Sequence, residues 1–180
     1  MLIAARASIV SVKPKRRAVA VPVKITLVIL IQIAAAKDYI VIACDVRRLG
    51  MLGDLRESLS SFKKTNSKYP ILGAGTYLPL NSVSVWPSWQ SSFLPQIGAS
   101  QALLDPINNL GPCAGYDRDT CWNQETKAFA DSQPNDNKLE LPGGSYAFVY
   151  SGDSSGSNYS LYTAMETKSL GYNTVEGQLV

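Results

Sequence analysis

The side chains that most often carry enzyme chemistry are sparse in this 180-residue chain. It contains no histidine, which excludes Ser-His-Asp and Cys-His catalysis and histidine ligation of zinc or haem. Ser91, Ser92, Lys63 and Lys64 form no recognisable pair of nucleophile and base. We therefore expect a protein that is not an enzyme and that needs no cofactor, with one metal ion to consider.

That metal ion is calcium. Asp105, Asp117 and Asp119 lie in a stretch rich in Asn, Gly and Pro, where carboxylate and backbone carbonyl oxygens are abundant. Ca²⁺ prefers hard oxygen ligands of this kind. The spacing does not match an EF-hand loop, and aspartates are also common in ordinary turns. A Ca²⁺ site at these three residues and a set of turn aspartates both stay open.

Two of the three cysteines, Cys113 and Cys121, flank a short polar loop, CAGYDRDTC. We predict a disulfide between them, because an exported protein would oxidise such a pair. Two free thiols are the alternative. Cys44 stands alone in an apolar stretch.

The three tryptophans, Trp86, Trp89 and Trp122, admit two interpretations. They could form a surface on which sugar rings stack. They could equally be packing aromatics, which is the commoner role of large aromatic side chains.

The N-terminus is strongly basic. Residues 1–37 hold seven Lys and Arg and no acid, whereas residues 38–180 hold ten basic and fourteen acidic residues. We interpret residues 1–17 as a basic leader held in the cytoplasm, since basic residues before an apolar run favour that orientation. A nucleic-acid-binding arm is the weaker interpretation because the apolar run follows at once.

Residues 18–44 are interpreted as the apolar half of a long N-terminal helix. The uncharged run between Lys24 and Lys37 is only residues 25–36, whereas a membrane span needs about 20 residues. Extending the span through Cys44 would bury Lys37 and Asp38. The side chains expected to face lipid or a filament core are Ile25, Leu27, Val28, Ile29, Leu30, Ile31, Ile33, Ile40, Val41 and Ile42.

A cleaved signal peptide would explain the same stretch differently. The basic and apolar segments are followed by three small residues, Ala34, Ala35 and Ala36, which suit a signal-peptidase site. The mature protein would then begin near Lys37.

Residues 45–180 are expected to form the second half of the helix and a β-rich head. Leu52, Leu55, Leu59 and Phe62 recur with the helical period and predict a stripe that packs on the head. Val46 and Leu49 would continue the stripe towards the N-terminus. Asn66, Ser67 and Pro70 end the helix.

Two strands are predicted near the C-terminus. The segments are LELPGGSYAFVYSG and NYSLYTAME, and GDSSGS between them is a hairpin loop. In the first segment Tyr146, Phe148 and Tyr150 alternate with Ala147 and Val149. The expected fold class is therefore α+β, with a long N-terminal helix packed on a small antiparallel sheet.

Three segments of the chain resemble a known family. CDVRRLGMLGDLRESLSSFKKTNSKYP, the loop DPINNLG, and the hairpin SYAFVYSGDSSGSNYSLYTAMET with its closing Glu166 are similar to segments of bacterial type IV pilins and type II secretion pseudopilins. The resemblance covers about residues 38–167. The chain lacks the Gly and the Glu that the family's processing motif places around the start of the apolar run.

The resemblance implies a structural subunit that polymerises with copies of itself into an extracellular helical filament. It also implies an inner-membrane location before assembly, contact with an inner-membrane assembly machinery, and a final place at the cell surface. The alternative is a secreted or membrane-anchored binding domain, with carbohydrate as one possible ligand.

Overall fold

The computed structural model describes residues 23–73, 77–113, 117, 119–123, 125, 128–129, 139, 141–167 and 172–178. The predicted basic leader, residues 1–17, lies outside them. Six of the residues expected in a filament core are described as helical backbone only, and their side chains lie outside the description: Ile25, Leu27, Val28, Ile29, Leu30 and Ile31.

A long helix, α1, covers Val23–Asn66, and the chain divides into two units at Lys37 and Asp38. The helix ends where the sequence predicts. Ser67 adopts a left-handed backbone with φ of 60°, and its N–H donates to the carbonyl of Lys63 at 2.7 Å. A left-handed residue just after a helix is a common C-terminal cap.

One face of α1 packs on the head within the second unit, Asp38–Val180. Leu52, Leu55 and Leu59 are buried in the main core, and Phe62 is half-buried against it. This arrangement agrees with the predicted stripe.

The predicted continuation of that stripe towards the N-terminus is wrong. Val46 and Leu49 are 63% and 43% exposed, whereas Asp45 and Arg48 are buried. Counting back from Leu52 in steps of four and three gives Arg48 and Asp45, so the helical period itself places these two polar residues on the buried face. Their burial is possible because both are fully engaged in hydrogen bonds.

The head contains a four-stranded antiparallel sheet in the order β1-β4-β5-β6. The strands are β1 (Asn81–Val83), β4 (Val149–Gly152), β5 (Asn158–Ala164) and β6 (Tyr172–Gln178). A separate pair is formed by β2 (Trp122–Asn123) and β3 (Ala128–Phe129). The predicted hairpin is present as β4 and β5, with Tyr150 opposite Leu161.

The two faces of the sheet contribute to two apolar cores. Phe148, Tyr150 and Leu161 join the leucines of α1, and Val149 and Tyr162 belong to the second core on the other side. A π-helical turn (Trp89–Phe93) and a short helix, α2 (Leu94–Gln96), supply further aromatic and aliphatic side chains to the first core. The described part of the chain is thus an α+β fold in which α1 and a small antiparallel sheet share one core.

Candidate functional site

The three tryptophans that could have formed a sugar-stacking surface are buried. Trp86 and Trp89 are 2% and 0% exposed, and Trp122 is 8% exposed. The indole N–H of Trp89 donates to the carbonyl of Leu103 at 3.0 Å. The rings are packing aromatics, so their faces are closed to a sugar.

The structure does not bring the three predicted calcium ligands together. Asp105 is buried, whereas Asp117 and Asp119 are exposed. Among the described residues no cluster of three or more His, Cys, Asp or Glu side chains could hold a metal ion.

Asp117 and its neighbours form a turn closed by the predicted disulfide. Cys113 and Cys121 are bonded, with their Cα atoms 5.6 Å apart. The carboxylate of Asp117 accepts hydrogen bonds from the hydroxyl of Thr120 at 2.6 Å and from the N–H of Asp119 at 3.2 Å. These bonds hold the pKa of Asp117 below its ordinary value, as expected of an aspartate that organises a turn.

A buried ionic cluster centred on Arg48 is the densest set of charged groups that the structure describes. The Nε of Arg48 donates to Asp105 Oδ2 at 2.7 Å, and its Nη2 donates to Asp105 Oδ1 at 3.2 Å. Its Nη1 donates to Asp45 Oδ1 and to Glu166 Oε1, each at 2.8 Å. One guanidinium therefore faces three carboxylates, and the guanidinium also lies 4.8 Å from the centre of the Tyr146 ring.

Each buried carboxylate has further donors. Asp45 accepts from the backbone N–H of Glu166 and of Thr167, both at 2.9 Å, and from the Thr167 hydroxyl. Asp105 accepts from the backbone N–H of Ile107 at 2.9 Å and of Asn108 at 3.1 Å. These bonds satisfy Asp45 Oδ2, which Arg48 does not reach, and add donors to Asp105 Oδ1, so that the buried charges are hydrogen-bonded as burial requires.

The same contacts set the protonation of the cluster. Burial alone would raise the pKa of Asp45, but hydrogen bonds from Thr167, Glu166 and Arg48 outweigh burial and leave that pKa below its ordinary value. Burial would lower the pKa of Arg48, and the carboxylates of Asp105 and Glu166 instead raise it. Both shifts favour the charged forms of Asp45 and Arg48 at neutral pH.

The cluster joins three parts of the head that are far apart in the sequence. Asp45 and Arg48 lie on α1, Asp105 begins a loop, and Glu166 and Thr167 follow β5. Such a cluster fixes the position of a helix on a sheet. It offers no open position for a substrate, because Arg48 and Asp105 are fully buried.

Sequence reasoning missed this cluster although its signal is present. The DVRR segment places Asp45 and Arg48 three residues apart and in phase with Leu52. Charged side chains on a helix are usually assigned to its solvent face. Asp45 and Arg48 lie on the same side of the helix as Leu52, and this position would have identified them as buried.

The second notable feature is an apolar surface on the part of α1 within the second unit, which the rest of that unit does not cover. Of the residues expected in a filament core, Ile40 is 64% and Ile42 is 52% exposed there, and Val41 is half-buried. Ile33, in the first unit, is 50% exposed. Tyr39 is 80% exposed. Exposed apolar area of this extent on one element commonly marks a surface that another molecule covers.

None of the helices in the described ranges is both long enough and apolar enough to cross a membrane.

Comparison of the chain with protein-family models, with curated proteins and with solved structures finds no match.

Proposed function

We propose that this protein is a structural subunit that polymerises with its own copies into an extracellular helical filament, through the apolar part of α1. The observation that carries the proposal is the exposure of Tyr39, Ile40, Ile42, Val46 and Leu49 on a helix whose other face is anchored in the head. Burying these side chains against other copies is favourable by about 25 cal/mol per Å².

The packing of α1 on the head within the second unit supports a structural role. A subunit that is joined through its helix must hold its head in a fixed position on that helix. The leucine stripe and the ionic cluster around Arg48 both serve that purpose.

The place of the resembling segments supports the proposal in a second way. Three separate segments resemble type IV pilins and pseudopilins: the one containing Asp45 and Arg48, the one beginning at Asp105, and the one ending at Glu166. The side chains of these four residues meet in one cluster. The three segments that resemble the family therefore meet in one ionic cluster of the folded head.

In this proposal the protein resides in the inner membrane before assembly, meets an assembly machinery there, and reaches the cell surface as part of the filament. It has no catalytic role and binds no nucleic acid as a structural component.

Detergent removal from the purified full-length chain tests the proposal. We expect filaments in negative-stain electron micrographs and a large increase in sedimentation rate. A chain that remains monomeric at high concentration would contradict the proposal.

The mature N-terminus separates this function from that of a soluble binding domain. Mass spectrometry of protein from native cells would show a start near Ala18 if the apolar helix is kept for assembly. A start near Lys37 would instead indicate signal-peptide cleavage, and the filament would lose residues 18–36.

A further inference from the structure

The segment that follows β5, residues 165–167, is attached to α1 by polar bonds rather than by apolar packing. Its three side chains are half-buried, and none of them belongs to either apolar core of the described residues. Its hydrogen bonds to α1 end on two side chains, Asp45 and Arg48. Segments with few buried apolar contacts open more easily than the rest of a fold. The attachment of this segment therefore depends on the state of those two side chains.

The hydrogen bonds that the described residues make with Asp45 all donate to its carboxylate. Oδ1 accepts from Arg48 Nη1 at 2.8 Å and from the backbone N–H of Glu166 at 2.9 Å. Oδ2 accepts from the backbone N–H of Thr167 at 2.9 Å and from the Thr167 hydroxyl. Of these four groups only the hydroxyl is able to accept a hydrogen bond in turn. We call the bonds between Asp45 and residues 165–167 the latch.

A proton on Asp45 conflicts with the latch. The protonated carboxyl group is a donor, and on Oδ1 it would point at the donors of Arg48 and Glu166. On Oδ2 it would compete with the Thr167 N–H unless the Thr167 hydroxyl turned to accept it. In both cases the negative charge is lost, and hydrogen bonds to a neutral group are about half as strong as those to an ionised one. Protonation therefore weakens every bond of the latch.

The ionisable groups around the latch come from three parts of the head. Arg48 on α1 is the cation bonded to Asp45, and Asp105 and Glu166 bind the same guanidinium. Tyr146 lies against that guanidinium. Asp105 also accepts from two N–H groups of its own loop, and the carboxylate of Glu166 bonds to Arg48. Asp45 is thus the carboxylate in the cluster that accepts from the backbone of residues 165–167.

We propose that Asp45 makes the latch releasable by acid: when Asp45 takes up a proton from solvent, residues 165–167 separate from α1 while α1 stays packed on the sheet. The leucines that hold α1 there, Leu52, Leu55 and Leu59, are buried and do not titrate. This device goes beyond the proposed function and does not depend on polymerisation.

The direction of the pH response follows from the latch bonds. They stabilise the charged form of Asp45 and hold its pKa in the folded protein below the ordinary value of 3.8. When the latch is open, the pKa of Asp45 returns towards that ordinary value. The latch is therefore fully stabilised above the ordinary pKa and opens as pH falls through the lower pKa of the closed state.

Hydrogen exchange of the full-length chain in mild detergent tests the inference at neutral pH. Asp45→Asn imitates the protonated side chain, because its amide places a donor where the carboxylate has an acceptor. We expect the N–H groups of Glu166 and Thr167 to exchange at least about tenfold faster than in wild type, and at least about tenfold faster than those of Leu55 and Tyr150 in the same variant. Fast exchange at the segment alone would show that it opens while the core stays folded.

Asp54→Asn is the matched control, because it makes the same substitution at an exposed position of the same helix. It should leave the exchange of Glu166 and Thr167 as in wild type.

A pH series of the same measurement tests the role of the proton, with each rate compared with that of an unstructured peptide at the same pH. In wild type we expect Glu166 and Thr167 to lose protection in acid before Leu55 does. Thr167→Val removes a donor from Asp45, which raises the pKa of that carboxyl group, so its latch should open at a higher pH than in wild type. A side chain that only packs would not move this pH. The series also tests the inference if Asp45→Asn does not fold.

Three results would overturn the inference. Equal loss of protection at the segment and at Leu55 would show that the whole head unfolds as one unit. Unchanged exchange at Glu166 and Thr167 in Asp45→Asn would show that other contacts hold the segment. The same opening pH in Thr167→Val and wild type would assign the acid response to another carboxylate. None of these results involves polymerisation, so they are distinct from a failure of the filament proposal.

Discussion

Arg47 and Arg48 are adjacent, chemically identical side chains with opposite surroundings. Arg48 is buried among three carboxylates, whereas Arg47 is exposed. A buried ion pair loses most when one partner is removed, because the charges that remain are buried without compensation. The two residues therefore form a matched pair for testing the structural role of the cluster.

We predict that Arg48→Leu lowers the free energy of unfolding by about 3–5 kcal/mol, since Asp45 and Asp105 would stay buried without their cation. Arg47→Leu should change the free energy of unfolding by less than about 0.5 kcal/mol, as is usual for exposed positions. Chemical denaturation of both variants in the same mild detergent measures the difference. Equal effects of the two substitutions would show that Arg48 does not hold α1 on the head.

Asp45 should make the stability of the head depend on pH in acid. Its pKa in the folded protein lies below the ordinary value of 3.8. Asp45 therefore binds a proton more readily in the unfolded chain than in the folded one, and the free energy of unfolding rises with pH. The contribution of Asp45 is complete above its unfolded pKa and is lost as pH falls through the lower folded pKa.

The predicted result is a fall in the free energy of unfolding below about pH 4, measured by denaturation between neutral and strongly acidic pH. Asp45→Asn should be less stable at neutral pH and should lose part of this acid dependence. Asp54→Asn, at an exposed position of the same helix, serves as the control and should retain the full slope. An unchanged slope in Asp45→Asn would assign the acid sensitivity to other carboxylates.

At the scale of elements, α1 has one apolar surface in the core and another that is uncovered within the second unit. Leu55 is fully buried in the core, and Leu49 is 43% exposed on the uncovered surface. Both are leucines on one helix, six residues apart. Truncation of each therefore separates stability from the proposed assembly.

We predict that Leu55→Ala lowers the free energy of unfolding by about 2–5 kcal/mol, because it removes buried methyl groups and leaves a cavity. Leu49→Ala should leave the free energy of unfolding within about 0.5 kcal/mol of wild type and should raise the concentration needed for assembly. Denaturation and sedimentation of both variants measure the two effects. A large loss of stability in Leu49→Ala would mean that this residue packs on the head.

Periodicity predicted those elements whose contacts repeat along the sequence. The stripe of Leu52, Leu55 and Leu59 follows the helical period because one side of α1 is buried. In the hairpin of β4 and β5 the aromatic residues alternate with smaller ones, and the two sets face two different cores. Both patterns repeat along a regular element, so both are visible in a single sequence.

Four strands escaped prediction, and two of them, β1 and β6, are strands of the main sheet whose stability comes from their partners. Strand β1 has three residues in a Pro-rich connection, and it is defined by its pairing with β4. Strand β6 has no clear alternation in YNTVEGQ, yet it pairs along all seven residues of β5. The contact between Arg48 and Asp105 was also missed because it depends on a distant partner. The two residues lie 57 positions apart, so no local pattern indicates that they meet.

At the scale of the whole molecule, the proposed contact between copies would be predominantly apolar, and this would set its response to temperature. Hydrophobic association near room temperature is driven by entropy and weakens on cooling. We therefore expect fewer polymers at about 4 °C than at about 25 °C, with recovery on warming. Sedimentation of one detergent-free sample at both temperatures measures this, and an increase on cooling would indicate a contact dominated by polar groups.

The attachment of head to helix also has a mechanical consequence. In a filament joined along α1, tension runs through the helix backbone, and a force applied to a head reaches α1 through the leucine stripe and the bonds of Arg48. These bonds connect one point of α1 to the Asp105 loop and to the segment after β5. A force that displaces the head from α1 would load these bonds together, so no single bond would bear it alone.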